Sequence, residues 1–507
     1  MTLNRRRFLQ TAGTLAGAAI LARPERVLAG ADATLTVALE SVPNQLDPLR
    51  YQTNPGYRVM ANMYDTLLRV DYAADGALRP GLAENWTRVD AQTIDLVLRQ
   101  GVKFHDGNTM TAEDVIFSLS EVRLADPDSP GFGTAQQFLS TISGAAKIDD
   151  QTVRVTSSVP DPALEKRLST WGSQIIPKAA FEAAGWDGFA QAPIGTGPFR
   201  FKALSPEAVT LVTHAEYWDG APGAAGLVFR SVPELSSRIA GLQAGEFDVI
   251  ADVPPDQFSA VAGSDDLSIT GGPISSIRVV KFDTRNETLK DARVRRALGL
   301  AIDRQAIVDA LWQGLVDVPN GHQLKSYGEL YFADHPAYVY DPEQAKSLLR
   351  EAGYDGTPIP YRIRTNAYGP ELATAQILVS MWEAVGLKID LQIKENFAQM
   401  LEFPGTGMRN GVDPVLVNEP LFGIWRSYNE SEREVWSNEA FYEAGHIFES
   451  SMDLPTRQTA LRKMLDIFDA DPPAVILHNM GLFYGKRKAL GWTPIPNVYM
   501  DFRGVVA

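Results

Sequence analysis

An α/β fold divided into two or three lobes is what this sequence predicts, and three observations predict it. At 507 residues the chain is too long for one ordinary hydrophobic core. Segments that alternate apolar and polar residues recur between segments with apolar residues at i, i+3 and i+4, and Gly, Pro, Asn or Asp bounds most of them, as expected where strands and helices alternate. Hydrophobic residues make up 45% and charged residues 21%, a globular composition.

The first residues read as an address rather than as structure. Arg5-Arg6-Arg7-Phe8-Leu9-Gln10 precedes a weakly apolar run over 11–22 that contains Gly13 and Gly17. This looks like a twin-arginine export signal, since the run falls short of the roughly 20 apolar residues a bilayer span needs. Ala29-Gly30-Ala31 supplies small residues for cleavage, so the mature chain is expected to start near Asp32.

The strand expected over 34–39 leads into the loop Glu40-Ser41-Val42-Pro43-Asn44-Gln45-Leu46-Asp47-Pro48, and Val59, Met63, Leu67 and Leu68 then follow helical spacing. Residues 93–99 alternate, with Ile94, Leu96 and Leu98 on one face. After Gln100-Gly101 a second short strand over 102–104 ends in the turn His105-Asp106-Gly107-Asn108, and the two strands are expected to pair as a hairpin. Thr111 and Asp114 form a capping box for a helix whose apolar stripe is Val115, Ile116, Leu119 and Val122. Asp126 and Asp128 begin like a calcium loop, but Pro127, Pro130 and the missing downstream Glu make a turn the better reading. Gly195-Thr196-Gly197 lacks the G-K-[ST] of a phosphate loop and reads as a tight turn into a strand over 199–203. A helix over 236–244 stops at Gly245, strands follow over 247–250 and 276–282, and Asp341 and Gly353 bracket a helix over 342–352. Further strands are expected over 361–365, 387–393 and 474–477, with helices over 371–385, 440–448 and 455–468.

Composition excludes several functions. A formal charge of −15 repels nucleic acid and anionic lipid, and no basic patch interleaved with aromatics offsets it. The absence of Cys excludes disulfides, thiolate metal sites and a lipid-modified cysteine tether, so a freely diffusing exported protein with no stable membrane anchor is expected. The six His form no H-E-x-x-H spacing and no G-x-S-x-G elbow occurs, which leaves little to support an exported enzyme, and no cofactor is implied.

The stretch 82–122 carries a resemblance. Ala83-Glu84-Asn85-Trp86, Leu98-Arg99, the run G-V-K-F-H-D-G over 101–107 and Thr111-Ala112-Glu113-Asp114-Val115 resemble, in order, the extracytoplasmic solute-binding proteins of family 5, the oligopeptide, dipeptide and nickel class that serves ABC importers. Leu46-Asp47-Pro48, Gly195-Thr196-Gly197-Pro198-Phe199, Glu216-Tyr217-Trp218, Arg293-Val294-Arg295, Ala301-Ile302-Asp303-Arg304, Asp341-Pro342-Glu343 and Ala352-Gly353-Tyr354 extend it over nearly all of the chain beyond the signal.

The resemblance implies a type II periplasmic-binding-protein fold, bilobal with an extra small lobe and a ligand cleft between lobes. It places the signal at 1–31, lobe I at 32–76, 193–275 and 485–507, lobe II at 77–192 and lobe III at 276–484. It further implies a periplasmic monomer that closes on a peptide or small solute and passes it to ABC permease subunits. Alternatives on the same fold are an opine, an oligosaccharide or a metal chelate, for which His322 or His478 would be the reachable ligands.

In peptide receptors of this class an aspartate just after a Trp, in a segment like W-x-x-D-Y, holds the ligand's α-ammonium. Here the sequence is Trp425-Arg426-Ser427-Tyr428-Asn429-Glu430, without that Asp, so a peptide N-terminus has an anchor only if Asp413, Glu419 or Glu430 substitutes. Arg426 adds the opposite bias, because a guanidinium grips a carboxylate bidentately, while Trp425 and Tyr428 offer apolar faces. The expected ligand-binding residues are Val42, Asn44, Gln45, Asn366, Trp425, Arg426, Tyr428, Asn429 and Tyr484, and no metal ligand is among them. Asp283 stands where the family usually has Asn, which removes an expected ligand hydrogen bond.

Overall fold

Ten strands share one mixed sheet in the computed structural model, which describes residues 33–505 apart from 73, 75 and 366–368. They are β1 (Thr34–Leu39), β2 (Phe199–Leu204), β3 (Ala208–Thr213), β4 (Gly226–Ser231), β5 (Val249–Ile250), β6 (Leu267–Phe282), β7 (Ile359–Ile363), β8 (Ile389–Ile393), β9 (Met408–Pro414) and β10 (Ala474–Arg487). Their order is β8-β7-β9-β6-β10-β5-β1-β4-β3-β2. The expected export signal over 1–31 lies outside the described residues.

The two long central strands make the sheet one object. β6 and β10 pair antiparallel from Leu267↔Arg487 to Lys281↔Ala474, so one end of each belongs with β5, β1 and β4 and the other with β9, β7 and β8. The ladder is interrupted between Pro273 and Ile277, opposite Asn479 and Gly481. Pro lacks the donor a ladder requires, and Gly271 on the same strand has φ 115°, where a side chain would be strained. The pairing of the two long strands is therefore weakest at this break.

Helices Ala292–Leu300, Pro342–Ala352 and Glu371–Ala384 cover one face of the β7/β9/β6 half, burying Val280, Leu298, Leu349, Tyr361, Leu378 and Trp382. The helix N-caps fit the sequence: Asp291 accepts from Arg293 N, Asp303 from Ala306 N and Asp341 from Gln344 N. Gly353 closes its helix at φ 70° and Gly245 closes Leu235–Ala244 at φ 80°, both left-handed positions that favour glycine.

The small lobe differs from expectation in one respect. Thr93–Leu98 pairs with Ala83–Asp90 on one side and Thr152–Ser157 on the other, and not with 102–104. Residues 102–110 instead close their own tight turn through Phe104 N to Asn108 O (2.8 Å) and Met110 N to Val102 O (2.9 Å). Gly101 at φ 73° separates the two units and sends the chain away from the sheet. The capping box is present, Asp114 accepting from Thr111 N at 2.9 Å and from its hydroxyl at 2.8 Å. The helix it starts, Ala112–Ser118, ends before Val122, which is 60% exposed. Asp128 N bonds to Asp126 Oδ1 at 3.0 Å, as a turn does.

Titration of one histidine should register in stability. His478 of β10 is 1% exposed, its Nδ1 lies 2.8 Å from Asn479 O, and burial holds its pKa down to about 4. Unfolded histidine titrates near 6.5, so the unfolded chain gains a proton before the native one as pH falls. This contribution is complete above pH about 6.5 and lost as pH falls toward 4, roughly 3 kcal/mol at full development. Thermal unfolding across that range should show the loss, and His478→Gln, which keeps a donor for Asn479 O but cannot titrate, should flatten the profile.

Candidate functional site

The C-terminal ends of β1 and β5 point the same way, because the two strands are adjacent and parallel with Ala38 opposite Ile250. Crevices beyond the carboxyl ends of strands are where open α/β sheets take ligands. Glu40 follows β1 there, and Asp252 follows β5 at φ 59°, a left-handed conformation that Asp tolerates better than most residues. Arg58 binds Asp252 bidentately, Nη1 to Oδ2 and Nη2 to Oδ1 both at 2.6 Å. Its helix, Asn54–Met60, is held in place at its start by Thr53, whose hydroxyl accepts from Gly56 N at 3.2 Å. Tyr484 of β10 lies beside Arg58, and burial pushes its hydroxyl up to about 12.

Aromatic rings extend this wall. Tyr57, next to Arg58, meets the Trp171 ring edge-on at 4.5 Å, and Tyr499 lies 6.0 Å from both. Trp171 is 2% exposed and its indole Nε1 has no acceptor. Opposite stands the segment that follows β9. Arg426 donates through Nε to Phe422 O (3.2 Å), through Nη2 to Pro414 O (3.0 Å) and through Nη1 to Gln137 Oε1 (3.5 Å), and its guanidinium lies 5.3 Å from the centre of the Phe138 ring. Among the described residues it has no carboxylate partner within 4.0 Å. Burial lowers its pKa, and the neighbours whose charge acts against that are Tyr57, Asp413, Tyr327 and Glu432, the two carboxylates from beyond ion-pair distance. The Tyr327 hydroxyl is also buried without a partner. Arg426 and Pro414 border a cavity of about 650 Å³ that runs along β9 past Asp413 and Lys281.

Asp413 has neighbours on both oxygens, hydrogen-bonded at Oδ2 and ion-paired at Oδ1. Its Oδ2 accepts from Tyr428 Oη (2.6 Å) and His322 Nε2 (2.9 Å), and Lys281 Nζ lies 2.8 Å from Oδ1. Burial alone would raise its pKa, yet Lys281 and His322 hold the carboxyl far below the usual range. Glu419 is likewise taken by Arg457 (2.7 Å) and Lys166 (3.1 Å), and Glu430 by His446 (2.8 Å). None of the three carboxylates that could replace the missing aspartate therefore lacks a partner.

The other expected site residues are dispersed. Trp425 is buried against Phe441 and His446 and lies so close over Gly445 that a Cβ there would stand 1.9 Å from the ring. Asn429 starts the turn Glu430–Glu432 by accepting from Ser431 N at 3.0 Å. Val42 packs against the main hydrophobic core, Gln45 is half-buried, and Asn44 is exposed with its carbonyl accepting from Gln191 at 3.3 Å. Asn366 lies outside the described residues. Asp283 is paired with Arg285 at 2.8 Å, and His322 and His478 hold Asp413 and a backbone carbonyl. Among the described residues no group of His, Asp and Glu is arranged to hold a metal ion. Arg58, Tyr57, Trp171, Asp252 and Tyr327 are candidate site residues that local sequence patterns did not single out. Only Asp252, placed between a strand end and Val253-Pro254-Pro255, carried any local signal.

The model of bacterial extracellular solute-binding proteins, family 5 middle, matches residues 77–415. The chain is 29% identical over 402 residues to a probable di/tripeptide-binding protein 5 of Pseudomonas aeruginosa (strain UCBPP-PA14), covering 74% of each chain. It is 27% identical over 528 residues to di/tripeptide-binding protein 2 of the same strain, covering 97% of this chain and 96% of the relative. The dipeptide binding protein of Pseudoalteromonas sp. SM9913 in complex with Met-Leu has the same fold, with a TM-score of 0.83 at 21% identity over 93% of this chain and 99% of that one.

Proposed function

Because the chain belongs to the bacterial extracellular solute-binding proteins of family 5, we propose that it captures a carboxylate-bearing peptide or peptide-like solute between its lobes, closes on it at the β6/β10 hinge and hands it to the permease. Members of this family are ABC-importer receptors and not enzymes.

The observation that carries the ligand class is Arg426. A guanidinium removed from water wants an anion, and this one has only backbone and side-chain carbonyl oxygens, on the wall of a large cavity. Tyr327 Oη, whose ring neighbours Arg426 electrostatically, and Trp171 Nε1, packed against Tyr57, are two more buried donors without partners and suit an acceptor-rich group. β7 pairs with β9 only through Tyr361 and Arg362, so from Asn410 to Pro414 no described strand lies along that edge of β9, which leaves room for an extended ligand.

The reading includes twin-arginine export to the periplasm, without a lipid anchor and as a monomer; N-terminal sequencing of secreted protein should begin at Asp32. No helix among the described residues is long and apolar enough to cross a membrane. Native mass spectrometry of gently purified protein tests the ligand class. The expected result is a retained solute with a free carboxylate, and a neutral sugar or a stoichiometric metal complex in its place would overturn the reading.

A further inference from the structure

We propose that Glu40 is the cation-reading residue of the cleft, pairing with an ammonium group of the same solute whose carboxylate Arg426 holds, so that the ligand is a zwitterion gripped from both lobes. This rests on the carboxylate reading above.

Glu40 and Asp252 leave the ends of neighbouring parallel strands on the same side of the sheet, two residues beyond the Ala38–Ile250 pair. Arg58 satisfies both oxygens of Asp252. The Glu40 carboxylate, half-buried beside that pair, has no hydrogen bond and no cationic nitrogen within 4.0 Å among the described residues. The nearby cations do not serve it: Arg58 is committed to Asp252, and Arg238 donates to Val232 O (2.7 Å) and Pro233 O (2.9 Å). Arg364, which follows β7 in the opposite half, acts on Glu40 by charge from outside ion-pair distance. Burial, and then the charge of Asp252, raise the Glu40 pKa, so the carboxylate is under-compensated where it stands. A ligand ammonium would supply the missing counter-charge. Glu40 thus takes from lobe I the task for which Asp413 and Glu419 in lobe III already hold a cation and Glu430 a histidine ring.

The competing role is a latch, with Glu40 meeting Arg364 when the lobes close, and ligand chemistry separates the two. Titration calorimetry of the full chain should use Met-Leu, N-acetyl-Met-Leu and Met-Leu amide as probes, with wild type and Glu40→Gln. The expected result is that Glu40→Gln weakens Met-Leu by about tenfold or more while N-acetyl-Met-Leu stays within about twofold. Equal losses for both probes would assign a latch and overturn the proposal, as would no change for either or no binding of Met-Leu. Amide binding as tight as that of the acid would instead overturn the Arg426 reading, so the two failures are distinguishable.

Discussion

Arg426→Ala is expected to weaken binding of N-acetyl-Met-Leu by roughly two orders of magnitude while leaving Met-Leu amide nearly unaffected, the loss being that of a charge-assisted contact in a desolvated cleft. Arg426→Lys should fall between, because an ammonium retains the charge but not the planar fork. Stability of the empty protein should move the other way or barely at all. The guanidinium reaches only Phe422 O, Pro414 O and Gln137 Oε1, so its desolvation is not repaid by an ion pair. Calorimetry on the folded variant together with its thermal midpoint checks both halves. A large fall in the midpoint with unchanged affinity would assign Arg426 to structure, holding the Phe138 and Pro414 segments together.

The fold was legible because its signals are local. Capping residues at Thr111, Asp291, Asp303 and Asp341, the stop at Gly245 and the alternation of Thr93–Leu98 each act within a few residues, and each appears in the structure. What sequence misjudged depends on longer range. Thr93–Leu98 took the preceding strand and one about sixty residues later as partners, since register is set by which faces are buried and not by proximity alone. The site was less legible for the same reason. Trp425 has the composition of a ligand platform, but only the tertiary packing of the helix Glu439–Ser450, with Gly445 under its ring, reveals it as core. Glu40 and Asp252 stand 212 positions apart in sequence and became neighbours through β1 and β5. Arg426 drew attention in the sequence because the acid expected beside it is missing, and the structure places it on three carbonyl oxygens.

Asp413→Asn is expected to lower the thermal midpoint by roughly 3–5 °C, the consequence of losing about 3–5 kcal/mol when one partner is removed from a buried charge network in a chain of this length. Lys281 and His322 would keep their places with no anion between them, His322 being wholly buried and Asp413 1% exposed. The double variant Asp413→Asn with Lys281→Met should recover part of the loss, and the cycle measures the coupling. Acid should not reproduce this effect early. The Asp413 carboxyl is held far below its unfolded pKa, so its stabilisation is present above pH about 4 and is lost only as pH falls through the much lower native value. Acid sensitivity between pH 6.5 and 4 therefore belongs to groups such as His478, not to the Asp413 carboxyl. The same variant also decides what Asp413 is for. If it held a ligand ammonium, Asp413→Asn would abolish Met-Leu binding and leave the midpoint in place. With Lys281, His322 and Tyr428 already on its oxygens, the midpoint should fall while the folded fraction binds Met-Leu as before.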